Sequence, residues 1–197
     1  CYTKAKIMNL FNKIFFNKKI LIYGMGKTGI SSYNFLKKKN KIYFYDDNYA
    51  VLRKKKVKKF NVNINKINKI QFDYVVISPG IDINKCNLKD YLKKNLKKII
   101  TDLDIFYLSC LKNRIITITG TNGKSTTAKL LNSILKSHKY DSRLCGNIGN
   151  PILFEKNISE KTIFVIEASS YQIEYSKIFK SNYAIILNIS PDHLERH

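Results

Sequence analysis

The sequence is short of several residue types and patterns, and each shortage argues against a class of protein. No stretch approaches about 18 consecutive apolar residues, so no membrane-spanning helix is expected. The short apolar run at 7–16 lacks a small-residue cleavage site, which argues against a secretory signal. Cysteine is scarce and forms no CxxC pair, which argues against a zinc site or a disulfide framework and favours a cytoplasmic, reducing location. The cysteines are Cys1, Cys86, Cys110 and Cys145.

Acidic residues are also scarce: 14 Asp and Glu stand against 36 Lys and Arg, for a formal net charge of +22. Such a charge is found in nucleic-acid-binding proteins, because each neutralised phosphate releases counterions. Here, however, the excess is nearly all lysine spread along the chain, whereas bidentate contacts to phosphate or guanine favour arginine. We therefore interpret the charge as compositional drift, and we expect no nucleic-acid partner and no membrane partner.

The pattern of apolar runs predicts an α/β fold with parallel sheets. Short apolar runs at 19–23, 41–45 and 73–78 alternate with helix-like spacing, as at 30–39, and a weaker strand is predicted at 60–64. Near-continuous apolar strands separated by helices indicate a parallel sheet that is covered on both faces. The first half of the chain is therefore predicted to be a Rossmann-like domain.

The same pattern restarts in the second half, which predicts a second domain. We place the domains at 1–101 and 102–197, and the second has too few predicted strands to be complete. The chain begins at Cys1 rather than Met and stops at His197 with no helix or turn to finish the fold, so we expect it to be a fragment. The predicted elements of this half are helices at 101–111 and 125–137 and strands at 114–119, 162–166 and 183–189.

A first glycine loop, GMGKTG at 24–29, lies directly after a predicted strand and before a predicted helix. Its glycines permit a tight turn and let main-chain N–H groups and the helix N-terminus approach a phosphate. Asp46, twenty residues beyond Gly26, follows the next strand and is placed to bond a ribose or a base. Taken alone, the loop favours an NAD(P)-dependent oxidoreductase, although glycines that only allow close strand–helix packing would look the same.

A second glycine loop, TGTNGKST at 119–126, also lies between a predicted strand and a predicted helix. Its main-chain N–H groups can cradle phosphates, Lys124 can reach the β- and γ-oxygens, and the Ser125 hydroxyl can bind Mg²⁺. The loop is shorter than the general ATP-binding pattern, because Ile118 stands where that pattern has a glycine. The second domain is therefore predicted to be a truncated P-loop-type α/β ATP-binding domain.

The second loop resembles the ATP-binding loop of the Mur ligase family, and three later segments match that family in the same order. They are GNIGNP at 146–151, EASSYQ at 167–172 and NISPDHLER at 188–196. The first glycine loop and SPGI at 78–81 resemble the members of the family that add D-glutamate. The resemblance covers residues 18–197.

The resemblance implies a ligase that uses ATP and Mg²⁺ to phosphorylate a carboxylate, which an amine then attacks to form an amide. It implies UDP-N-acetylmuramoyl-L-alanine and D-glutamate as substrates, and we expect a monomer. The implied catalytic residues are Lys124, Glu167 and His193, and the implied Mg²⁺ ligands are Ser125, Glu167 and His193. The implied phosphate-binding residues are Gly120, Thr121, Asn122, Gly123, Lys124, Ser125 and Thr126. The implied contacts to the UDP substrate are Lys27, Thr28, Asp46, Asp47, Gly80, Asn147 and Ser169, although Asp47 stands where the family often has threonine.

Three alternatives stay open at this point. An oxidoreductase would explain the first loop and leave the second unexplained, a bare ATPase would do the reverse, and another Mur ligase family member would use both. The resemblance also implies that the adenine and amino-acid sites lie beyond His197, so the chain alone is expected to be inactive.

Overall fold

A computed structural model describes residues 4–48 and 61–191 of the chain, with side chains described from residue 10 onward. It contains two four-stranded parallel sheets with helices packed against them, which confirms the predicted α/β class. None of the described helices has the length and apolar character that a membrane span needs.

The first sheet has the strand order β2-β1-β3-β4, and every pairing is parallel. Its central strands are almost fully buried because they are apolar on both faces, as a parallel sheet between two layers requires. The elements are α1 (Lys4–Phe15), β1 (Lys19–Tyr23), α2 (Lys27–Leu36), β2 (Lys41–Tyr45), α3 (Ile64–Lys69), β3 (Tyr74–Ile77), α4 (Lys89–Lys94) and β4 (Ile99–Ile100).

The second sheet has the order β6-β7-β5-β8 and is also entirely parallel. Strand β5 lies between β7 and β8, so the loop that follows it opens at a point where the strand order reverses. The elements are α5 (Asp102–Ser109), β5 (Arg114–Thr119), α6 (Lys124–Ser137), β6 (Ser142–Gly146), β7 (Ile163–Glu167), α7 (Ser170–Tyr175) and β8 (Tyr183–Ile186).

The weak strand predicted at 60–64 is wrong for the residues that the structure describes. Asn61 makes a single parallel bridge to Phe44, and α3 begins at Ile64. The Asn63 side chain accepts a hydrogen bond from the Lys66 main-chain N–H and so caps this helix. Phe60 lies outside the described residues. Strands β4 and β6 were not predicted, because one has two residues and the other mixes polar with apolar side chains.

One hydrophobic core is shared by the two sheets. Ile20 and Ile22 of β1 belong to the same buried cluster as Phe164 and Ile166 of β7. Phe106 of α5 joins them, with its ring centroid 4.7 Å from that of Phe164 in an edge-to-face arrangement. The continuous core holds the loops of both sheets in a fixed relation.

Candidate active site

The second glycine loop turns sharply from β5 into α6 and depends on two glycines with positive φ. Gly120 has φ 136°, and a Cβ there would lie 3.0 Å from the main-chain oxygen of Asn188. Gly123 has φ 81° and precedes α6 in the left-handed conformation, with no side chain capping the helix. The first main-chain N–H groups of α6 are therefore available to an anion, as at other phosphate-binding helix N-termini.

Lys124 lies folded back over this loop. Its Nζ donates hydrogen bonds to the main-chain oxygens of Gly120, at 2.6 Å, and Thr121, at 2.7 Å. The side chain is half-buried, so its ammonium group is held at the mouth of the loop rather than extended into solvent. A triphosphate bound there would offer this ammonium group anionic oxygens in place of two neutral carbonyl oxygens, which adds ion-pair attraction to the hydrogen bonds.

Glu167, at the end of β7, is the buried carboxylate of this region, with only 1% of its surface exposed. The Ser125 hydroxyl donates to its Oε2 at 2.8 Å, and the Asn147 side-chain amide donates to its Oε1 at 3.1 Å. The strand register brings these side chains to Glu167, because Ile118 of β5 and Gly146 of β6 both pair with Glu167 and the loops that carry Ser125 and Asn147 follow them. Hydroxyl and carboxylate oxygens are the ligands that Mg²⁺ prefers.

Ser169 begins α7 through a reciprocal cap. Its hydroxyl accepts the Gln172 main-chain N–H at 3.3 Å, and the Gln172 side-chain oxygen accepts the Ser169 N–H at 3.2 Å. Such a capping box fixes the first turn of a short helix. Gln172 is buried, and it also hydrogen-bonds the buried carboxyl of Asp102.

A cleft of about 730 Å³ lies over these elements, within the size range of small-molecule sites. Its walls come from both halves of the chain, because the loop after β3 faces the second glycine loop and α7. Predicted site residues in its lining are Gly80, Gly120, Thr121, Lys124, Asn147 and Ser169.

The first glycine loop has the tight geometry that the sequence predicted. Gly24 has φ 92°, and a Cβ on Gly29 would lie 2.0 Å from the Gly24 main-chain oxygen, so α2 packs directly against the turn. Around Gly26 there is open space, and no side chain caps α2. The loop therefore combines close packing at Gly29 with an accessible helix N-terminus at Lys27 and Thr28.

The two acids after β2, Asp46 and Asp47, accept hydrogen bonds from different partners. Asp46 accepts the main-chain N–H of Met25 at 2.6 Å and that of Asn48 at 2.9 Å, so it ties the first glycine loop to β2. Asp47 accepts the hydroxyl of buried Tyr23 at 2.7 Å. Burial, together with the bond to Asp47, raises the pKa of Tyr23 far above its ordinary value, so this hydroxyl stays protonated as a donor.

The predicted site residues thus form two groups in the structure. One group surrounds Lys124 and Glu167 at the cleft, and the other, with Lys27, Thr28, Asp46 and Asp47, lies at the ends of β1 and β2. His193 lies outside the described residues. The described cysteines, Cys86, Cys110 and Cys145, are buried free thiols whose pKa values are raised by burial. In the described ranges no three His, Cys, Asp or Glu side chains cluster as a metal site.

Several polar residues in and near this region were not predicted from the sequence. Asn188 pairs with the second glycine loop, and Gln172 links Ser169 to Asp102. Asn188 opens the NISPDHLER segment, which was the one available signal. Asp102 and Asp104 gave no signal, because acids at a helix start are usually exposed caps.

Two models of known protein families match successive parts of the chain. A model of the MurD-like N-terminal domain of Mur ligases matches residues 18–100, and a model of the Mur ligase middle domain matches residues 118–197. The chain belongs to the Mur ligase family.

Several curated Mur ligases are similar over most of the chain. The UDP-N-acetylmuramoylalanine--D-glutamate ligase of Caldicellulosiruptor saccharolyticus is 40% identical over 193 residues, covering 92% of this chain and 42% of the relative. The enzyme of the same name from Rickettsia bellii is 40% identical over 185 residues, covering 91% and 40%. That from Buchnera aphidicola is 37% identical over 188 residues, covering 93% and 42%. The chain thus spans about two fifths of the length of these relatives.

The fold itself is shared with a solved Mur ligase. The UDP-N-acetylmuramate:L-alanyl-gamma-D-glutamyl-meso-diaminopimelate ligase of Neisseria meningitides superposes with a TM-score of 0.52 at 16% identity, covering 91% of this chain and 63% of that one. At this identity the likeness concerns the arrangement of helices and strands.

Proposed function

We propose that this chain is the front portion of an ATP-dependent ligase that joins D-glutamate to UDP-N-acetylmuramoyl-L-alanine. One observation carries the proposal: Gly80, from the loop after β3, lines the same cleft as Lys124. A UDP-linked sugar held at the first glycine loop would therefore extend its carboxylate toward a nucleotide held at the second. The names and similarity of the curated relatives support the same reaction.

The two halves of the chain would divide the binding. Residues 1–101 would hold the UDP part, with the diphosphate at the start of α2 near Lys27 and Thr28, and the uracil near Asp46 and Asp47. Residues 102–197 would hold ATP, with Asn147 and Ser169 contacting the sugar substrate. Such a protein would work in the cytoplasm, as a monomer.

Phosphoryl transfer to a carboxylate brings two anions together, so the site must neutralise charge. The N-terminus of α6 and Lys124 would do this at the triphosphate. The carboxylate oxygen of the substrate attacks the γ-phosphorus and ADP leaves. The amine of D-glutamate then attacks the acyl carbon, loses a proton and displaces phosphate, which leaves an amide.

Magnesium fits the donor set at Glu167. The buried carboxylate already accepts the Ser125 hydroxyl at 2.8 Å, and Mg²⁺ is usually bound by one or two carboxylates together with substrate phosphates. When bound, the ion would neutralise the phosphate oxygens. Asn147 would orient Glu167 through its bond to Oε1, and His193 is proposed as a further ligand by family resemblance.

The test is Lys124→Ala in the complete protein. We expect amide formation and ATP-dependent phosphate release to fall by at least about 100-fold, because the variant loses a charge that acts on the transferred phosphoryl group. Binding of the UDP substrate, measured by calorimetry, should change by less than about twofold, because that ligand is held mainly by the first glycine loop. Lys129→Ala removes the same charge from an exposed position on α6 and should leave turnover unchanged.

Two results would contradict the proposal. Unchanged turnover in Lys124→Ala would show that ATP does not bind at this loop. Thermal stabilisation of the protein by NAD(H) and not by UDP-muramoyl compounds would favour an oxidoreductase instead. A panel of amino acids separates the family members, since only D-glutamate should stimulate phosphate release.

A further inference from the structure

We propose that Asn188 is the positioning residue of the second glycine loop, and that it sets which main-chain N–H groups face the nucleotide. The inference rests on the proposed ATP site. Asn188 follows β8, whose last residue, Ile186, pairs with Thr119 at the end of β5. The segment after β8 therefore runs beside the loop after β5.

The side chain of Asn188 pairs with the main chain of Asn122 in both directions. Its Oδ1 accepts the Asn122 N–H at 2.9 Å, and its Nδ2 donates to the Asn122 carbonyl at 3.1 Å. The main-chain oxygen of Asn188 also accepts the Thr121 N–H at 3.2 Å. One residue thus makes three hydrogen bonds to two consecutive residues of the loop.

These bonds remove two N–H groups from the phosphate cradle. With the N–H groups of Thr121 and Asn122 engaged by Asn188, the groups that remain for a phosphate are those from Gly123 into the first turn of α6. The sequence predicted that successive N–H groups along the whole loop bind the phosphates. With two of them engaged, we infer that the phosphates are bound at the N-terminal end of α6.

By holding the loop, the pairing of Asn188 with Asn122 also determines where the Lys124 Nζ lies. The carbonyls that receive its Nζ belong to Gly120 and Thr121, immediately before the residue that Asn188 holds. A Cβ at Gly120 would meet the backbone of Asn188 at 3.0 and 3.1 Å, so the close approach of the two segments requires glycine there. The Thr121 hydroxyl adds a reciprocal pair with the main chain of Ser190.

A matched control stands at the other end of β8. Asn182 is also exposed, its Oδ1 accepts the main-chain N–H of Ile115 at 2.8 Å, and its own N–H donates to the Ile115 carbonyl at 2.9 Å. Asn182 thus joins the start of β8 to β5, and Asn188 joins the segment after β8 to the loop after β5. Of the two, only Asn188 lines the cleft.

The experiment compares Asn188→Ala and Asn182→Ala with the unchanged complete protein. Dissociation constants for MgATP and, separately, for UDP are measured by calorimetry, and the midpoint of thermal unfolding is recorded for each variant. We expect Asn188→Ala to weaken MgATP binding about tenfold, which corresponds to loss of one to two net hydrogen bonds. UDP binding should stay within about twofold, and Asn182→Ala should lower the unfolding midpoint without changing MgATP binding.

Equal MgATP binding in Asn188→Ala and the unchanged protein would overturn the role of Asn188, and so would equal weakening in both variants, which would indicate a general effect on stability. Failure of the unchanged protein to bind MgATP would instead refute the proposed function. Asn188→Ser provides a second substitution with a polar side chain. If neither Asn188 variant folds while Asn182→Ala does, Asn188 serves the fold and the inference is wrong.

Discussion

At the scale of single residues, Asp46 of the acidic pair after β2 has a structural role that was not predicted from the sequence. Asp46 was selected from the sequence as a contact to a base or ribose. In the structure its two oxygens accept the N–H groups of Met25 and Asn48. Because it is half-buried and ties the first glycine loop to β2, its loss would disturb the sites proposed for the diphosphate and the uracil together.

We predict that Asp46→Ala weakens binding of UDP by about 1–3 kcal/mol, the usual cost of leaving a partly buried polar group unpaired. The affinity is measured by calorimetry with UDP alone. Asp73→Ala is the control, because Asp73 also accepts a main-chain N–H of β1, that of Lys19 at 2.8 Å, at the opposite end of the strand. Normal UDP binding by Asp46→Ala, with impaired use of ATP, would show that the uracil lies elsewhere.

At the scale of elements, both glycine loops join a parallel strand to a helix, but their glycines differ in purpose. Gly29 is required by packing, since an added Cβ would lie 2.0 Å from the Gly24 carbonyl. Gly26 has open space around it and an extended backbone that other residues can adopt. A single motif therefore contains one glycine that the fold needs and one that leaves room for a ligand.

This difference can be measured with two alanine substitutions in the same loop. Gly29→Ala should destabilise the protein by about 2 kcal/mol or more, because α2 must move away from the turn. Gly26→Ala should leave the free energy of unfolding within about 0.5 kcal/mol and weaken UDP binding, because the methyl group would occupy open space at the site proposed for the diphosphate. Urea unfolding and calorimetry test the pair. Equal stability of the two variants would contradict the packing argument.

At the scale of the whole molecule, two buried acids at the start of α5 lie where the two predicted domains meet along the chain, and Asp104 ties this helix to the turn after α7. Asp104 accepts the main-chain N–H groups of Lys177, Ile178 and Phe179 at 2.9, 2.7 and 2.9 Å, and that of Thr101 at 3.0 Å. Asp102, two residues earlier, has a buried Oδ1 without a hydrogen-bond partner among the described residues. Burial raises the pKa of Asp102 to about 6.

The raised pKa of Asp102 predicts a pH dependence of stability. The folded state holds the proton up to about pH 6, whereas the unfolded chain loses it near 3.8, so stability contributed by this group falls as pH rises through that window. Between about pH 4 and 7.5, the free energy of unfolding should fall relative to Asp102→Asn by on the order of 3 kcal/mol. Urea unfolding at both pH values checks this, and parallel profiles would refute it.

Asp104→Asn is the matched comparison for that prediction. Asp104 is equally buried, but its oxygens are fully engaged, and an amide would place a donor against the Thr101 N–H. We expect this substitution to lower the free energy of unfolding by about 2 kcal/mol or more near neutral pH. A gain in stability would show that the contacts of Asp104 do not hold α5 to the turn after α7.

The sequence by itself determined the local parts of this protein. The bounds of β1, β2 and β5 were predicted as observed, and both glycine loops were found, because apolar runs and glycine spacing are properties of neighbouring residues. The α/β class and the family followed from the same segments. The weak strand at 60–64 failed because Asn63 offers a helix cap that outweighs a short apolar run.

Only the tertiary structure decided which distant side chains meet. The pairing of Asn188 with Asn122, of Asp46 with Met25 and of Asp104 with the turn after α7 spans separations of 66, 21 and 73 to 75 residues. The contacts of Asn188 and Asp46 depend on strand order, because β8 lies beside β5 in one sheet and β2 lies beside β1 in the other. Hydrophobic periodicity fixes which face of a strand is buried, but it does not fix the neighbour beside it, because any apolar strand can bury the same face.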